Sequence, residues 1–448
     1  MGCFRTLIVA LGIVAFLPTV PDALSAQSAE RIWGRLTTVS GDVYEGLIRW
    51  DRNEAGWVDL LDGTKELAEF EYQDWWDLLN PDDRSRDRVI EVAGYRITWD
   101  DDAPDLPSSV ESGVRFGHIR RLTPTDRQEA RIELRSGREL VLSGGSTDLG
   151  TDLREVLVIS ASNRTREFEW EEIRTVEFFP GPEGGGVQRL HGTVDLDEGP
   201  SFTGFIGWDL NGVLLSDTLT GFDSQGDRQE FLFREIREIR REGDEAEVLL
   251  SSGARIRLSD HEDVSDRNDG IHVSDPSLGL VDVDWEEMER VRFHSPDNPA
   301  GHDSFLPDQR IRGTVLTSDS TEFEGWIRWD GDEEYSWELL DGRDRGVGYD
   351  VEFSNILHVE RARQRTVSLT IGTQGADVEN EREEWTEVTL RDGRVLELDG
   401  SNDVDSSNHG IYVLPYDAAW SPDNEEAVWI MIRWDDFHSA RFEWEVEP

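Results

Sequence analysis

The chain has 448 residues, 96 of them acidic against 45 basic, and a formal charge of −51 at pH 7. A field of that sign repels phosphate backbones and anionic headgroups, which excludes nucleic acid and membrane-surface partners. The only cysteine is Cys3, so thiol catalysis, zinc-thiolate sites and disulfides are excluded from everything downstream of it.

The first elements form a leader. Arg5 gives a short basic start, Thr6 to Leu17 is an apolar run too short to span a bilayer, and Ala23-Leu-Ser-Ala26 offers small residues for cleavage before Gln27. Residues 1–26 are therefore read as a signal peptide. The remainder is expected to be exported, periplasmic or extracellular, with no transmembrane anchor. Cys3 precedes the apolar run, which disfavours lipidation.

Downstream, one phrase is written three times: Gly46-Leu-Ile-Arg-Trp50-Asp51, Gly204-Phe-Ile-Gly-Trp208-Asp209 and Gly325-Trp-Ile-Arg-Trp329-Asp330. A second signal, an aromatic followed three residues later by a large apolar residue, occurs six times, at Phe116, Trp170, Phe233, Trp285, Phe353 and Trp434. Together they divide the chain into six modules of two alternating types. The A type, with the Trp-Asp phrase, occupies 31–124 (with an insertion at about 66–113), 187–242 and 308–363. The B type occupies 128–180, 244–296 and 384–446. Each B module opens with a hairpin whose turn carries Gly137, Gly253 or Gly393. Apolar residues such as Val388, Leu390, Leu396 and Leu398 alternate with charged ones, the strand period. The sequence predicts an all-β chain of three A–B pairs.

The alternating strands, the Gly-Ile-aromatic strand, the Leu-Leu-Asp-Gly strand and the closing aromatic-x-x-Ile resemble the SH3-like and Sm-like small barrels. That resemblance implies five bent strands per module, the last two joined by one 3-10 turn, with Gly46, Gly204 and Gly325 at sharp strand bends. A six-bladed β-propeller is the alternative, since six modules with Trp-Asp pairs fit one blade each. Against it, the modules alternate in type and are longer than the usual Trp-Asp repeat.

The loops after the B hairpins concentrate oxygen ligands. Asp260, Glu262, Asp263 and Asp266 fall in one, and Asn402, Asp403 and Asp405 in another. Such oxygens suit Ca²⁺, although the spacing matches no EF-hand loop. The competing reading is that Asp148, Asp263 and Asp403, one per loop, cap turns through backbone amides. Trp50, Trp208 and Trp329 are read as core residues in preference to sugar platforms. In the insertion, Trp75, Trp76 and Trp99 are the exposed-aromatic candidates for ligand binding. No zincin, nucleophile-elbow, phosphate-loop or dinucleotide motif occurs, so no catalytic residue and no cofactor other than Ca²⁺ is expected. The function expected is a non-enzymatic binding or structural scaffold for a protein or polysaccharide partner. Two alternatives are a carbohydrate-binding or carbohydrate-active protein using the tryptophans, and a cation-dependent adhesion or envelope protein.

Overall fold

The computed structural model describes residues 30–79, 88–92, 95–99, 106–144, 148–182, 188–209, 211–297, 300–363, 384–416 and 427–445. The leader and the side chain of Trp99 lie outside the described residues. Within them the chain is all-β, and its one α-helical stretch, Trp75–Leu79, is five residues long.

In the first A–B pair, β1 (Trp33–Thr38) and β2 (Val43–Trp50) form a hairpin followed by β3 (Leu60–Glu66). The insertion supplies β4 (Glu71–Asp74), α1 (Trp75–Leu79) and the hairpin of β5 (Arg88–Val92) with β6 (Tyr95–Trp99). The A stretch ends with β7 (Ser109–Arg115) and β8 (Ile119–Asp126). The B stretch consists of β9 (Glu129–Leu134), β10 (Glu139–Ser143), β11 (Val156–Ile159), β12 (Thr165–Phe168) and β13 (Ile173–Phe178).

Strand pairing crosses from A to B. β2 pairs with β1 and with β11, β11 pairs with β12, and β13 returns to β1. Reciprocally, β9 pairs with β8 and β10, β10 with β3, and β3 with β7. Each five-strand group thus takes its first hairpin from one module and its last three strands from the other. The β8–β13 pairing joins both groups into one ten-stranded sheet. The second pair repeats the exchange: the hairpin of His191–Leu196 with Ser201–Trp208 joins Ile271–Asp275, Gly279–Val283 and Met288–Phe293. In the third, Arg312–Thr317 and Glu322–Arg328 join Ile411–Pro415, Val428–Ile432 and Phe437–Phe442. Among the described residues no sheet closes on itself. Single 3-10 turns at Phe116–His118, Trp170–Glu172, Phe233–Glu235, Phe353–Asn355 and Trp434–Asp436 join the fourth and fifth strands, each burying its leading aromatic.

The repeated phrase makes this exchange possible. Gly46, Gly204 and Gly325 sit where the two modules' strands approach most closely: an added Cβ would lie 2.1, 2.5 and 2.2 Å from the carbonyl oxygens of Ile159, Ser274 and Leu414. The need is for absent side-chain volume. Four residues on, Trp50, Trp208 and Trp329 are fully buried, and their indole N–H groups donate to the carbonyls of Asp148, Asp263 and Asp403 at 2.8, 2.9 and 2.9 Å. The same three aspartates accept from the amides of Asp62, Thr220 and Asp341 at 2.9, 2.6 and 2.7 Å. Asp51, Asp209 and Asp330, at φ of 39°, 50° and 49°, accept in turn from the amides of Arg154, Asp269 and His409. Aspartate tolerates that left-handed conformation better than most residues.

The pairs are also tied to one another. Gly279–Val283 of the second pairs antiparallel with Val347–Glu352 of the third. The insertion strand β4 of the first adds in parallel to Val428–Ile432 of the third. Arg49 meets Asp217 at 2.9 Å and Arg189 meets Asp59 at 2.5 Å, both joining the first and second pairs. Tryptophans are traded as well. Trp337 of the third pair packs in the first pair's core, and Trp75 packs in the core shared by the second and third.

Trp75 therefore corrects the expectation of an exposed aromatic: it is 1% accessible, its ring lies edge-on to Phe323, and its indole donates to Asp436 at 3.1 Å. The amphipathic indole has been spent on inter-pair packing, where its apolar area and its one donor are both satisfied. Trp76 is partly buried against the same core. Trp75→Ala is expected to destabilise the protein by about 3–5 kcal/mol, read from the midpoint of denaturant unfolding. A change of a few tenths would place Trp75 on the surface.

Candidate functional site

The acidic B-module loops are occupied with holding the fold. Asp263 and Asp403 receive the bonds described above, and Asp405 caps its own turn by accepting from the Ser407 amide and hydroxyl at 2.8 and 2.6 Å. Asn402 donates to the Asp330 carboxylate, and Asp260 and Asp266 are exposed. One trio among the described residues has carboxylate or imidazole ligand atoms within 4.8 Å of one another: His261, Glu262 and Asp263. His261 Nδ1 already accepts from the Asp263 amide at 3.3 Å, and the Asp263 carboxyl is shared between the Thr220 amide and Asp209.

A different set of carboxylates gathers where the pairs meet. The strands β3 and β7 carry Asp62, Lys65 and Glu111 to the edge of a cavity of about 300 Å³, and the third pair supplies Glu333, Asp341 and Asp350 opposite them. A smaller cavity of about 210 Å³ lies between the first and second pairs, with Glu54, Asp148 and His272 in its lining. Leu60 and Asp62 line both. Lys65, the chain's only lysine, reaches across to the third pair, donating to the Asp332 carbonyl at 2.8 Å and to Glu338 Oε1 at 2.5 Å. Glu338 also caps its own loop by accepting from the amides of Glu334 and Tyr335, as Asp59 and Asp217 do in the other copies.

Burial dominates the electrostatics here. It pushes Asp62, Asp332 and Asp341 up to about 6, with Glu111 adding to Asp62 and Asp332 adding to Asp341. Burial, joined by neighbouring carboxylates, holds Asp350 and Glu333 well above the usual carboxylate range. Two acid pairs stand out. Asp341 and Asp350 are directly opposite on adjacent strands and interact through their carboxyls. Asp332 and Glu333 do the same, and Asp332 Oδ1 and Glu333 Oε2 are buried with no donor. An acceptor facing an acceptor requires a proton or a cation between them. Burial also opposes the charge on Lys65, but Glu338, Asp332 and Glu333 outweigh it and raise the ammonium above its ordinary value.

The repeats supply an internal control. Glu54 and Glu333 occupy the same place, four residues after the phrase's tryptophan and bridged to it, and the second copy has Gly212 there. Asp62 and Asp341 occupy another, which in the second copy is Thr220. The second copy makes the same backbone bonds without either acid, so the fold does not require them. In sequence the Leu-Leu-Asp-Gly strand reads only as a barrel element; the retrievable signal is that this strand's Asp occurs in copies one and three alone, with Lys65 three residues after it in copy one.

Comparison of the chain with family models, with curated proteins and with solved structures returns no match.

The raised carboxyls give stability a defined pH dependence. A carboxyl whose folded pKa is raised holds a proton that the unfolded chain has released, so its contribution is complete below about pH 4 and is lost as pH rises through the folded value. Asp62, Asp332 and Asp341 at about 6, with Asp209 and Glu30 at about 7, place that loss between about pH 4 and 7. His272, raised by Asp282 against the effect of burial, acts in the same direction. Burial lowers His191, His302 and His358, and these oppose it. The melting temperature at fixed ionic strength is expected to be higher at about pH 5.5 than at about pH 8. The reverse order would mean that these carboxyls are ionised without cost.

Proposed function

We propose that the protein is an exported, non-enzymatic binding scaffold, and that its working surface is the acidic cleft at the junction of the three pairs. The observation that carries this reading is the internal control: acids are present in the cleft at positions where the second copy folds with Gly212 and Thr220. Burying a carboxyl costs free energy, so acids that the fold does not need are best explained by what they bind. The recurring tryptophans and loop aspartates, by contrast, are consumed in holding A to B.

In this reading each five-strand group is a small barrel of the SH3-like type. The strand order, with the fifth strand back on the first and a 3-10 turn before it, supports that assignment over propeller blades, because a blade is completed by consecutive strands. Such barrels serve as binding modules, but fold alone does not fix function. The net charge of −51 would steer cationic partners toward the cleft in a salt-dependent way.

The test is retention of the mature chain on immobilised poly-lysine at about 150 mM salt. The double substitution Asp62→Asn with Asp341→Asn is expected to weaken retention about tenfold, equivalent to about 1.4 kcal/mol. Neutralising two exposed acids elsewhere, Glu322→Gln with Glu324→Gln, should change it little. Equal losses from both variants would assign the binding to bulk charge and remove the cleft from the argument.

A further inference from the structure

Resting on the reading of the cleft as the working surface, we infer that it takes an alkylammonium group, supplied by a free polyamine or by a lysine side chain of a basic polypeptide. The unsatisfied groups fix the sign of the ligand. Glu333 is 7% accessible, lines the larger cavity, and its Oε2 has no donor; the neighbouring Asp332 Oδ1 has none either. The third pair also brings the Asp341–Asp350 acid pair to the same cavity. Each acid pair is held together by a proton in the absence of a ligand; a ligand that takes the place of those protons leaves ionised carboxylates, which accept only, and so must bring donors and positive charge.

Spacing favours an ammonium over a metal ion. Ca²⁺ gathers six to eight oxygens at about 2.3–2.6 Å, which packs its ligands closely. Among the described residues only His261, Glu262 and Asp263 come within 4.8 Å as a trio, and none of them lines the cleft. An ammonium has three donors that reach separate acceptors at about 2.7–2.9 Å, and its alkyl stem can lie along apolar side chains. Leu60 and Leu339 provide such a lining. A volume of about 300 Å³ matches the lower end of small-ligand sites.

Lys65 shows the chemistry at work within the chain. Its Nζ satisfies the Asp332 carbonyl and Glu338, and it lines the same cavity. One internal ammonium therefore holds one side of the cleft, and the orphaned oxygens of Glu333 and Asp332 remain for a second.

The lone lysine is also the reporter. The full mature chain labelled with [¹³C]lysine has a single side-chain lysine signal, to be followed while 1,5-diaminopentane, a lysine-containing hexapeptide or CaCl₂ is added, with calorimetry in parallel. The expected result is saturable binding of the diamine that shifts the Lys65 signal and is weakened at least about tenfold by Glu333→Gln and by Asp350→Asn, while Glu262→Gln leaves it unchanged. The Lys65 shift needs no variant, so misfolding of a substituted chain does not compromise the test. Binding of the diamine alone identifies a free polyamine as the source, and binding of the peptide as well identifies a basic polypeptide. Saturable binding of CaCl₂ tighter than the diamine, abolished by the same substitutions, would overturn the inference in favour of a metal. Diamine and peptide binding that leaves the Lys65 signal unmoved would overturn it too. In that case cleft-dependent retention on poly-lysine would still leave the scaffold reading standing.

Discussion

Everything in this molecule depends on the contact between a buried tryptophan and the loop of the following module. The indole of Trp50, Trp208 or Trp329 donates to a loop aspartate's carbonyl, and that residue's carboxylate accepts from an amide of the A module's third strand. One loop aspartate thereby ties together two strands of the A module from a position 55 to 98 residues beyond the tryptophan. A buried hydrogen bond contributes about 1 kcal/mol net, but leaving its partners unsatisfied costs more, which makes the contact effectively obligatory. Once it forms, the first hairpin of A lies beside the last strands of B, and neither module can complete its sheet alone.

The strand content was legible because alternation and turn chemistry are local. Gly137, Gly253 and Gly393 adopt φ of 90°, 88° and 92° in the hairpin turns where the sequence places them. The closing aromatics at Phe116, Trp170, Phe233, Phe353 and Trp434 begin 3-10 turns, because a short turn followed by a buried apolar residue is also a local signal. The exchange of hairpins was not legible. A strand's pattern states which face is buried and is silent about which strand lies beside it. The glycine of the phrase was informative for a different reason from the one the barrel resemblance implied: carbonyls of Ile159, Ser274 and Leu414 occupy the space a side chain would need.

The candidate site divides along the same line. The loop aspartates cluster in sequence, and clustering in sequence is what a turn cap produces. Asp62 and Asp341 are separated by most of the chain and meet only because the insertion strand and Lys65 draw the first pair onto the third. Trp75 followed a similar course. An unrepeated tryptophan in an insertion reads as a surface feature until the insertion is found to be the strap between two pairs, with the indole as its anchor.

Lys65, the other tie between the first pair and the third, adds a constraint of its own. The chain uses Arg at every other basic position it counts, so a Lys here is a chemical choice, not a compositional one. A guanidinium is a rigid planar fork that matches one carboxylate in two-point geometry, whereas an ammonium directs three donors to acceptors that share no plane. At Lys65 the acceptors are a backbone carbonyl and a carboxylate from different parts of the third pair's loop. An arginine would satisfy one and crowd the cavity beside Glu333. The compact ammonium secures the junction, and in the proposed binding it leaves room beside Glu333 for a second cation.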